Sequence, residues 1–203
     1  MVLLVIDVQK DFCPGGSLAI RDGDAVVPIV NRIAAKADLV IATQDWHPHD
    51  HVSFARNHPG KKLYDVVELD GIKQVLWPAH CVQGTDGAAF HTALNTEHFS
   101  LILRKGTDAR IDSYSAFQDN DKKTSTGLEG YLRGLGIEHT YLCGLATDYC
   151  VFYSAMDAVR LGFRASIVID ACRGVDIPVG SIEKALKKMK KHGVTILNSS
   201  ELQ

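Results

Sequence analysis

The sequence has little of what marks a secreted or membrane protein. Its first apolar run has no basic leader and meets a carboxylate at Asp7, far too early for a signal peptide or a membrane span. Its five cysteines, an odd number spread from Cys13 to Cys172, do not form a disulfide framework. We therefore expect a cytoplasmic protein with reduced thiols and no membrane partner.

Positive and negative charges are also nearly balanced, with 22 lysines and arginines against 24 aspartates and glutamates. The net charge is −2, with 46% apolar and 23% charged residues, so nothing in the charge balance points to a nucleic acid partner. The densest basic run, residues 187–191, lies just before Gly193 and is typical of a solvated helix end. No linker-like tract divides the 203 residues, so we expect a single domain over residues 1–203.

The glycine motifs of nucleotide-binding proteins are absent as well. The turn that follows the first apolar run, residues 7–12, contains no G-x-G-x-x-G, and Gly15 and Gly16 come too late to supply one. No Walker A pattern occurs anywhere in the chain. Dinucleotide-dependent hydride transfer and phosphoryl transfer are therefore disfavoured.

What the chain does contain is an alternation of strand and helix patterns. Apolar runs without polar alternation predict strands buried on both faces at residues 2–6, 39–42, 101–103, 140–143, 165–169 and 194–197. Helical patterns lie at about residues 25–36, 125–135, 150–161 and 179–192. The alternation predicts an α/β fold, a doubly wound, mainly parallel six-stranded sheet with helices on both faces. Residues 45–99 interrupt it as a long irregular segment with one helix near residues 87–94, and such segments are usually functional.

Polar side chains follow five of the predicted strands, at Asp7, Asp45, Lys105, Cys150 and Asp170. The carboxyl ends of parallel strands form the ligand-binding edge of such a sheet. Any one of these residues could be a cap or a solvated side chain. Together they predict a site at this edge.

Cys150 is the candidate nucleophile because it begins a helix directly after a strand. A helix start and a cation such as Lys105 stabilise a thiolate. Asp7 could accept the thiol proton and later protonate a leaving amine, while N–H groups of the preceding turn would face an oxyanion. The alternative is that Cys150 is a small buried hydrophobic residue.

A second group of residues has the chemistry of a metal site. Asp45 and His47 are separated by one residue, Trp46, so in an extended segment their side chains point the same way. With His51 and His80 as further candidates, this set suits zinc, iron(II) or manganese and leaves positions open for water or substrate. The alternative is a surface loop whose histidines are solvated.

Short fragments along nearly the whole chain resemble the nicotinamidases, or pyrazinamidases, of the isochorismatase-like cysteine hydrolase superfamily. They are VIDVQKDF at residues 5–12, GGSL at 15–18, TQDWHP at 43–48, DHVSF at 50–54, WPAHCV at 77–82, KG at 105–106, YSAF at 114–117 and GLATDYCV at 144–151. Each fragment is weak alone, but the ordered set is specific. The resemblance implies an isochorismatase-like, Rossmann-like fold.

The resemblance also implies the activity, which is hydrolysis of nicotinamide to nicotinate and ammonia in NAD salvage, with pyrazinamide as a further substrate. The catalytic triad would be Asp7, Lys105 and Cys150, with a thioester forming on Cys150. Backbone N–H groups of Ala146 and Cys150 would hold the oxyanion, after a cis peptide between Leu145 and Ala146.

The remaining site residues implied by the resemblance bind the metal and the ring. The metal ligands would be Asp45, His47 and His80, with His51 as a fourth ligand in some members. Zinc is the expected ion, with iron or manganese as alternatives.

Phe12 and Trp77 would sandwich the pyridine ring. Tyr114 is counted with them as a substrate-binding residue, although it, Gln9 and Asp11 could equally be structural.

Two other functions stay open from the sequence. One is a hydrolase for another small amide, and the other is a non-catalytic metal- or nucleotide-binding module. The sequence allows a homo-oligomer but does not predict one.

Overall fold

A parallel sheet of six strands forms the centre of the protein. A computed structural model describes residues 1–202. Its strands, in chain order, are β1 Val2–Ile6, β2 Leu39–Asp45, β3 Val66–Leu69, β4 Ile72–Val75, β5 Phe99–Lys105, β6 His139–Leu145, β7 Arg164–Arg173 and β8 Thr195–Leu197. Six of them form the sheet in the order β5-β2-β1-β6-β7-β8, with every neighbouring pair parallel. The predicted α/β fold is confirmed.

Four helices connect these strands: α1 Val27–Ala34, α2 Leu128–Gly134, α3 Cys150–Arg160 and α4 Ser181–Lys191. The chain leaves β1 toward β2 in one direction and β6 toward β7 in the other. Because such crossovers are right-handed, their helices cover opposite faces of the sheet. Among residues 1–202, no helix has the length and apolar character needed to cross a membrane.

The strand order reverses between β1 and β6, at the centre of the sheet. All five residues of β1 are buried, and β6 approaches β1 so closely that a Cβ on Gly144 would overlap the main chain of Ile6. Gly144 has φ +112°, a conformation that glycine adopts without strain. In doubly wound sheets ligands bind at this reversal point, outside the carboxyl ends of the strands.

Two expectations about the edges and the irregular segment were wrong. Strand β5 is not buried on both faces, because it lies at the edge of the sheet and its residues alternate between half-buried and exposed, with Ile102 48% exposed. The helix expected near residues 87–94 is only a short 3-10 turn, Asp86–Ala88.

The irregular segment also contains an antiparallel hairpin that we did not predict. Strands β3 and β4 pair across Asp70 and Gly71, which have φ +50° and +78°. An Asp-Gly pair between two short strands is a strong hairpin signal, because both turn residues need positive φ. The dipeptide was therefore a usable signal in the sequence.

Candidate active site

Four of the five predicted strand-end residues come together beside the reversal point. Lys105, the last residue of β5, is buried with its ammonium 2.8 Å from Asp7 Oδ2 and 3.4 Å from Cys150 Sγ. The same ammonium donates to Asp45 Oδ1 and, at 2.9 Å, to the carbonyl of Ser113. One lysine thus connects the thiol with both carboxylates.

Asp170, the fifth strand-end residue, lies elsewhere. It is inside β7, which continues to Arg173, and its carboxylate accepts hydrogen bonds from the N–H and hydroxyl of Ser199. Its function is to hold the C-terminal 3-10 turn, Ser199–Glu201, against the sheet. The expectation that it shares the site was wrong, because the strand runs past it.

The charges in this cluster are set by burial and by Lys105. Burial lowers the pKa of Lys105, but Asp45 and Asp7 outweigh that effect and raise it well above the usual value. Burial raises the pKa of Asp7, and Lys105 offsets this only in part. Burial also acts to raise the pKa of Asp45, but the charges of Lys105 and His47 outweigh it. The pKa of Asp45 is therefore lowered. Lys105 and Asp45 therefore form a buried ion pair, with Asp7 beside it.

The pKa of the Cys150 thiol is set by more than the helix start and Lys105. Burial raises its pKa well above the usual value, and the ammonium of Lys105 only partly opposes this because Asp7 and Asp45 add negative charge nearby. Burial and the two carboxylates therefore favour the neutral thiol over the thiolate. Its proton needs an acceptor during attack.

The carboxylate of Asp7 lies close enough to the thiol to accept that proton. Asp7, Asp45 and Cys150 each offer one atom, and these three atoms lie within 4.8 Å of one another. Oδ2 lies near Lys105 but receives no well-directed hydrogen bond from any group in residues 1–202. A carboxylate oxygen in this state can accept a proton from the thiol.

The turn between β6 and α3 presents two free N–H groups beside the thiol. The Leu145–Ala146 peptide is cis, as the resemblance implied. The backbone N–H groups of Ala146 and Cys150 donate to no acceptor within the part of the chain that the structure describes, and both residues line the same cavity. Such donors can stabilise an oxyanion that forms next to Cys150 Sγ.

Asp45, His47 and His80 form a second cluster, buried beside the first. Each offers one ligand atom, and these atoms lie within 4.8 Å of one another. Asp45 Oδ2 is 3.6 Å from His47 Nε2 and 3.9 Å from His80 Nε2. A carboxylate and two imidazoles at this spacing are a donor set for a divalent metal ion.

The hydrogen bonds of the two imidazoles fit that assignment. In each ring Nδ1 bonds a backbone carbonyl, Gly106 O at 2.9 Å for His47 and Pro78 O at 2.8 Å for His80. Metal-binding histidines typically donate one N–H to a carbonyl, which fixes the ring and leaves the other nitrogen free. Burial and the neighbouring His47 lower the pKa of His80 to about 4, so its Nε2 lone pair is available at pH 7.

His51 is near this cluster but has different partners. Its ring stacks on His47 with centroids 4.1 Å apart, and its Nδ1 lies 2.7 Å from the Ser53 hydroxyl oxygen. Its ligand atom groups with those of His47 and Asp112, and not with those of Asp45 and His80. A role for His51 as a direct ligand therefore stays a prediction.

Both clusters open onto one cavity, which Asp45, His80 and Cys150 line. Three of its walls are the aromatic residues named from the sequence, Phe12, Trp77 and Tyr114. Trp77 Nε1 donates to the Tyr114 hydroxyl at 3.0 Å, which fixes these two rings relative to each other. Cys150 therefore shares a cavity with three aromatic walls.

Gln9 and Asp11 support the site without lining the cavity. The Gln9 amide bonds both the N–H and the carbonyl of Asp45 at 2.8 Å, which fixes the main chain of a candidate metal ligand. Asp11 Oδ2 accepts from the N–H of Cys81 at 2.7 Å, next to His80. Both residues therefore hold the main chain beside candidate metal ligands.

The sequence did not single out four other residues of the cavity, Leu18, Asp112, Tyr149 and Val175. Asp112 is buried and accepts from the Ser113 N–H and the Gln74 amide, both at 2.8 Å. Tyr149 packs edge-on against Trp77 with centroids 4.8 Å apart. Tyr149 is adjacent to the nucleophile in the sequence, which was a usable signal, whereas Asp112 and Val175 follow no motif.

Known proteins similar to this chain extend over almost all of it. The isochorismatase domain model matches residues 1–201. A nicotinamidase of Acinetobacter baylyi is 46% identical over 200 residues, covering 98% of this chain and 93% of that protein.

Two solved structures share this similarity. The nicotinamidase/pyrazinamidase of Acinetobacter baumanii matches with a TM-score of 0.97 at 50% identity and covers 100% of this chain and 97% of that one. The pyrazinamidase of Pyrococcus horikoshii in complex with zinc matches with a TM-score of 0.79 at 36% identity and covers 97% and 98%.

Proposed function

We propose that this chain, which belongs to the isochorismatase family, is a nicotinamidase that hydrolyses nicotinamide to nicotinate and ammonia. The family resemblance inferred from the motifs is confirmed, and the relatives named above carry this activity in their names. The observation that supports the proposal most directly is a buried thiol within reach of a carboxylate and an ammonium at an aromatic-walled cavity.

The cavity would hold the pyridine ring between Phe12 and Trp77, with Tyr114 beside them. Offset or edge-on aromatic contacts stabilise a flat ring and fix its plane. Fixing the plane aims the carboxamide carbon at Cys150 Sγ, and positioning of this kind is a large part of catalysis. Pyrazinamide has a ring of the same size, so we propose it as a second substrate.

Asp45, His47 and His80 would hold a divalent ion, which we propose to be zinc, because a similar pyrazinamidase has been solved in complex with zinc. When bound, the ion would supply a Lewis-acid centre that can bind the ring nitrogen or a water molecule. The protein residues contribute the orientation of that centre, since Gly106 and Pro78 fix the two imidazole rings.

Acylation begins with transfer of the thiol proton of Cys150 to Asp7 Oδ2. The sulfur attacks the carboxamide carbon, a C–S bond forms, and the carbonyl oxygen becomes an oxyanion bonded by the N–H groups of Ala146 and Cys150. Protonated Asp7 then gives its proton to the amide nitrogen as the C–N bond breaks. Ammonia leaves, and a thioester remains on Cys150.

Deacylation uses the same carboxylate in reverse. Asp7 takes a proton from a water molecule as its oxygen attacks the thioester carbon. The C–S bond breaks, Asp7 returns the proton to the Cys150 sulfur, and the nicotinic acid formed loses its remaining water-derived proton to solvent and leaves as nicotinate. Lys105 keeps its charge throughout and balances the carboxylates.

The test is ammonia release from nicotinamide by purified protein, before and after removal of metal with a chelator. We expect release, its loss in the chelated protein, and recovery when Zn²⁺, Fe²⁺ or Mn²⁺ is added back, with elemental analysis identifying the resident ion. Absence of release from metal-replete protein would overturn the proposed function. Full activity after complete metal removal would overturn the metal's part in it alone.

A further inference from the structure

The hydroxyl group of Thr43 contacts both the main chain and the carboxylate of Asp7. Thr43, on the neighbouring strand β2, accepts a hydrogen bond from the Asp7 N–H at 3.2 Å and donates one to Asp7 Oδ1 at 2.6 Å. Thr43 is fully buried and lies outside the cavity lining. Its hydroxyl contacts Asp7 and no part of the cavity lining, so we expect its effect on the reaction to pass through Asp7.

Asp7 needs such support because its main chain is unusual. It directly follows β1 with φ +47°, in the left-handed region that side-chain-bearing residues seldom adopt. Its carboxylate lies 2.8 Å from the Lys105 ammonium. The Thr43 hydroxyl holds the main chain and the carboxylate of this turn together.

A second buried threonine shows that packing does not require these bonds. Thr140, on β6 of the same sheet, is fully buried too, but its hydroxyl has no hydrogen-bond partner within residues 1–202. The sheet therefore accepts a buried threonine for its shape alone. The paired bonds of Thr43 are specific to its place opposite Asp7.

From this geometry we infer that Thr43 is a positioning residue for the proposed amidase reaction. By occupying Oδ1, its hydroxyl leaves Oδ2 as the carboxylate oxygen beside the Lys105 ammonium, which is itself 3.4 Å from the thiol sulfur. The oxygen that exchanges protons with Cys150 is thus fixed by a residue that touches neither substrate nor thiol. The inference rests on the proposed function.

The test replaces Thr43 with valine, which keeps the branched shape and removes the hydroxyl, and uses Thr140→Val as the matched control. For Thr43→Val we expect kcat for nicotinamide to fall about 10- to 100-fold, as for the loss of a hydrogen bond to a charged group. KM should stay within about twofold, since cavity contacts are unchanged. Thr43→Ser should recover most of kcat, and Thr140→Val should match the wild type.

Metal content separates this role from a structural one, because Thr43 is two residues from Asp45. We expect Thr43→Val to retain its metal by elemental analysis. Metal loss, or a rise in KM with unchanged kcat, would overturn the inference, as would wild-type kinetics. If Thr43→Val does not fold, Thr43→Ser and Thr43→Ala repeat the comparison, since both lack the methyl group and only one lacks the hydroxyl. An inactive wild-type protein would instead refute the proposed function.

Discussion

Gly106 is expected to be the most sensitive glycine for the candidate metal site. It follows Lys105, has φ +63°, and its carbonyl accepts the hydrogen bond from His47 Nδ1. A Cβ at this position would lie 2.5 Å from His47 Nδ1, where ordinary contact begins at 3.4 Å. Replacing Gly106 with alanine therefore forces the His47 ring to move by about 1 Å.

The size of the effect has two parts. Placing a side chain in the left-handed region costs about 1–2 kcal/mol, which lowers the Tm of a chain of this length by about 2–8 °C. Displacing His47 adds the loss of its Nδ1 bond, about 1 kcal/mol. Because bonds that orient a metal-binding histidine contribute roughly 10- to 100-fold in metal affinity, we expect Gly106→Ala to lose metal by that factor.

Gly136→Ala is the matched control. Gly136 has φ +69°, close to that of Gly106, but a Cβ there would meet nothing within 4 Å. It should therefore show the same backbone cost without the loss of metal. The assays are thermal unfolding, metal affinity by competition with a chromogenic chelator, and ammonia release. Equal metal affinity in both variants would refute the reasoning about His47.

Three further predictions follow from the site and the core. Cys150→Ala should abolish ammonia release and leave the metal content unchanged in elemental analysis, and residual turnover above about 1% of wild type would contradict a covalent mechanism. His80→Ala should deplete the metal far more than His51→Ala, whose ligand atom lies outside the Asp45 group; equal depletion would make His51 a ligand. Thr140→Val should raise the Tm by about 2–4 °C, because it removes a buried hydroxyl without a partner; a lower Tm would show that this hydroxyl is satisfied.

Most of the sheet could be predicted because its central strands are buried on both faces. An uninterrupted apolar run such as β1 has no other simple explanation, and the predicted bounds match the observed ones. The position of edge strand β5 was predicted, but its exposure to solvent was not. A run as short as residues 101–103 is too brief to show an alternation of apolar and polar residues. The outer residues of β5, Ser100, Ile102 and Arg104, are exposed.

The site was largely predictable for a geometric reason. Parallel strands end at one edge, so Asp7, Asp45, Lys105 and Cys150 had to lie near one another once the strands were placed. The same argument placed Asp170 at this edge wrongly, because its strand continues for three more residues. Asp112 follows no motif, and the fragment that contains Thr43 gives no hint of its role, because the importance of both residues comes from partners that lie far away in the sequence.

The protonation state of the nucleophile depends on burial, which sequence order does not give. The start of α3 and Lys105 alone would favour a thiolate. Among the side chains alone, the fold buries the thiol with two carboxylates and one ammonium, so ionising it would oppose three negative charges to one positive charge. Transfer of the proton to Asp7 avoids this, because the total charge of the cluster stays constant while the sulfur becomes nucleophilic. A neutral thiol beside a carboxylate whose pKa is raised by burial is therefore a consistent resting state for attack on an amide.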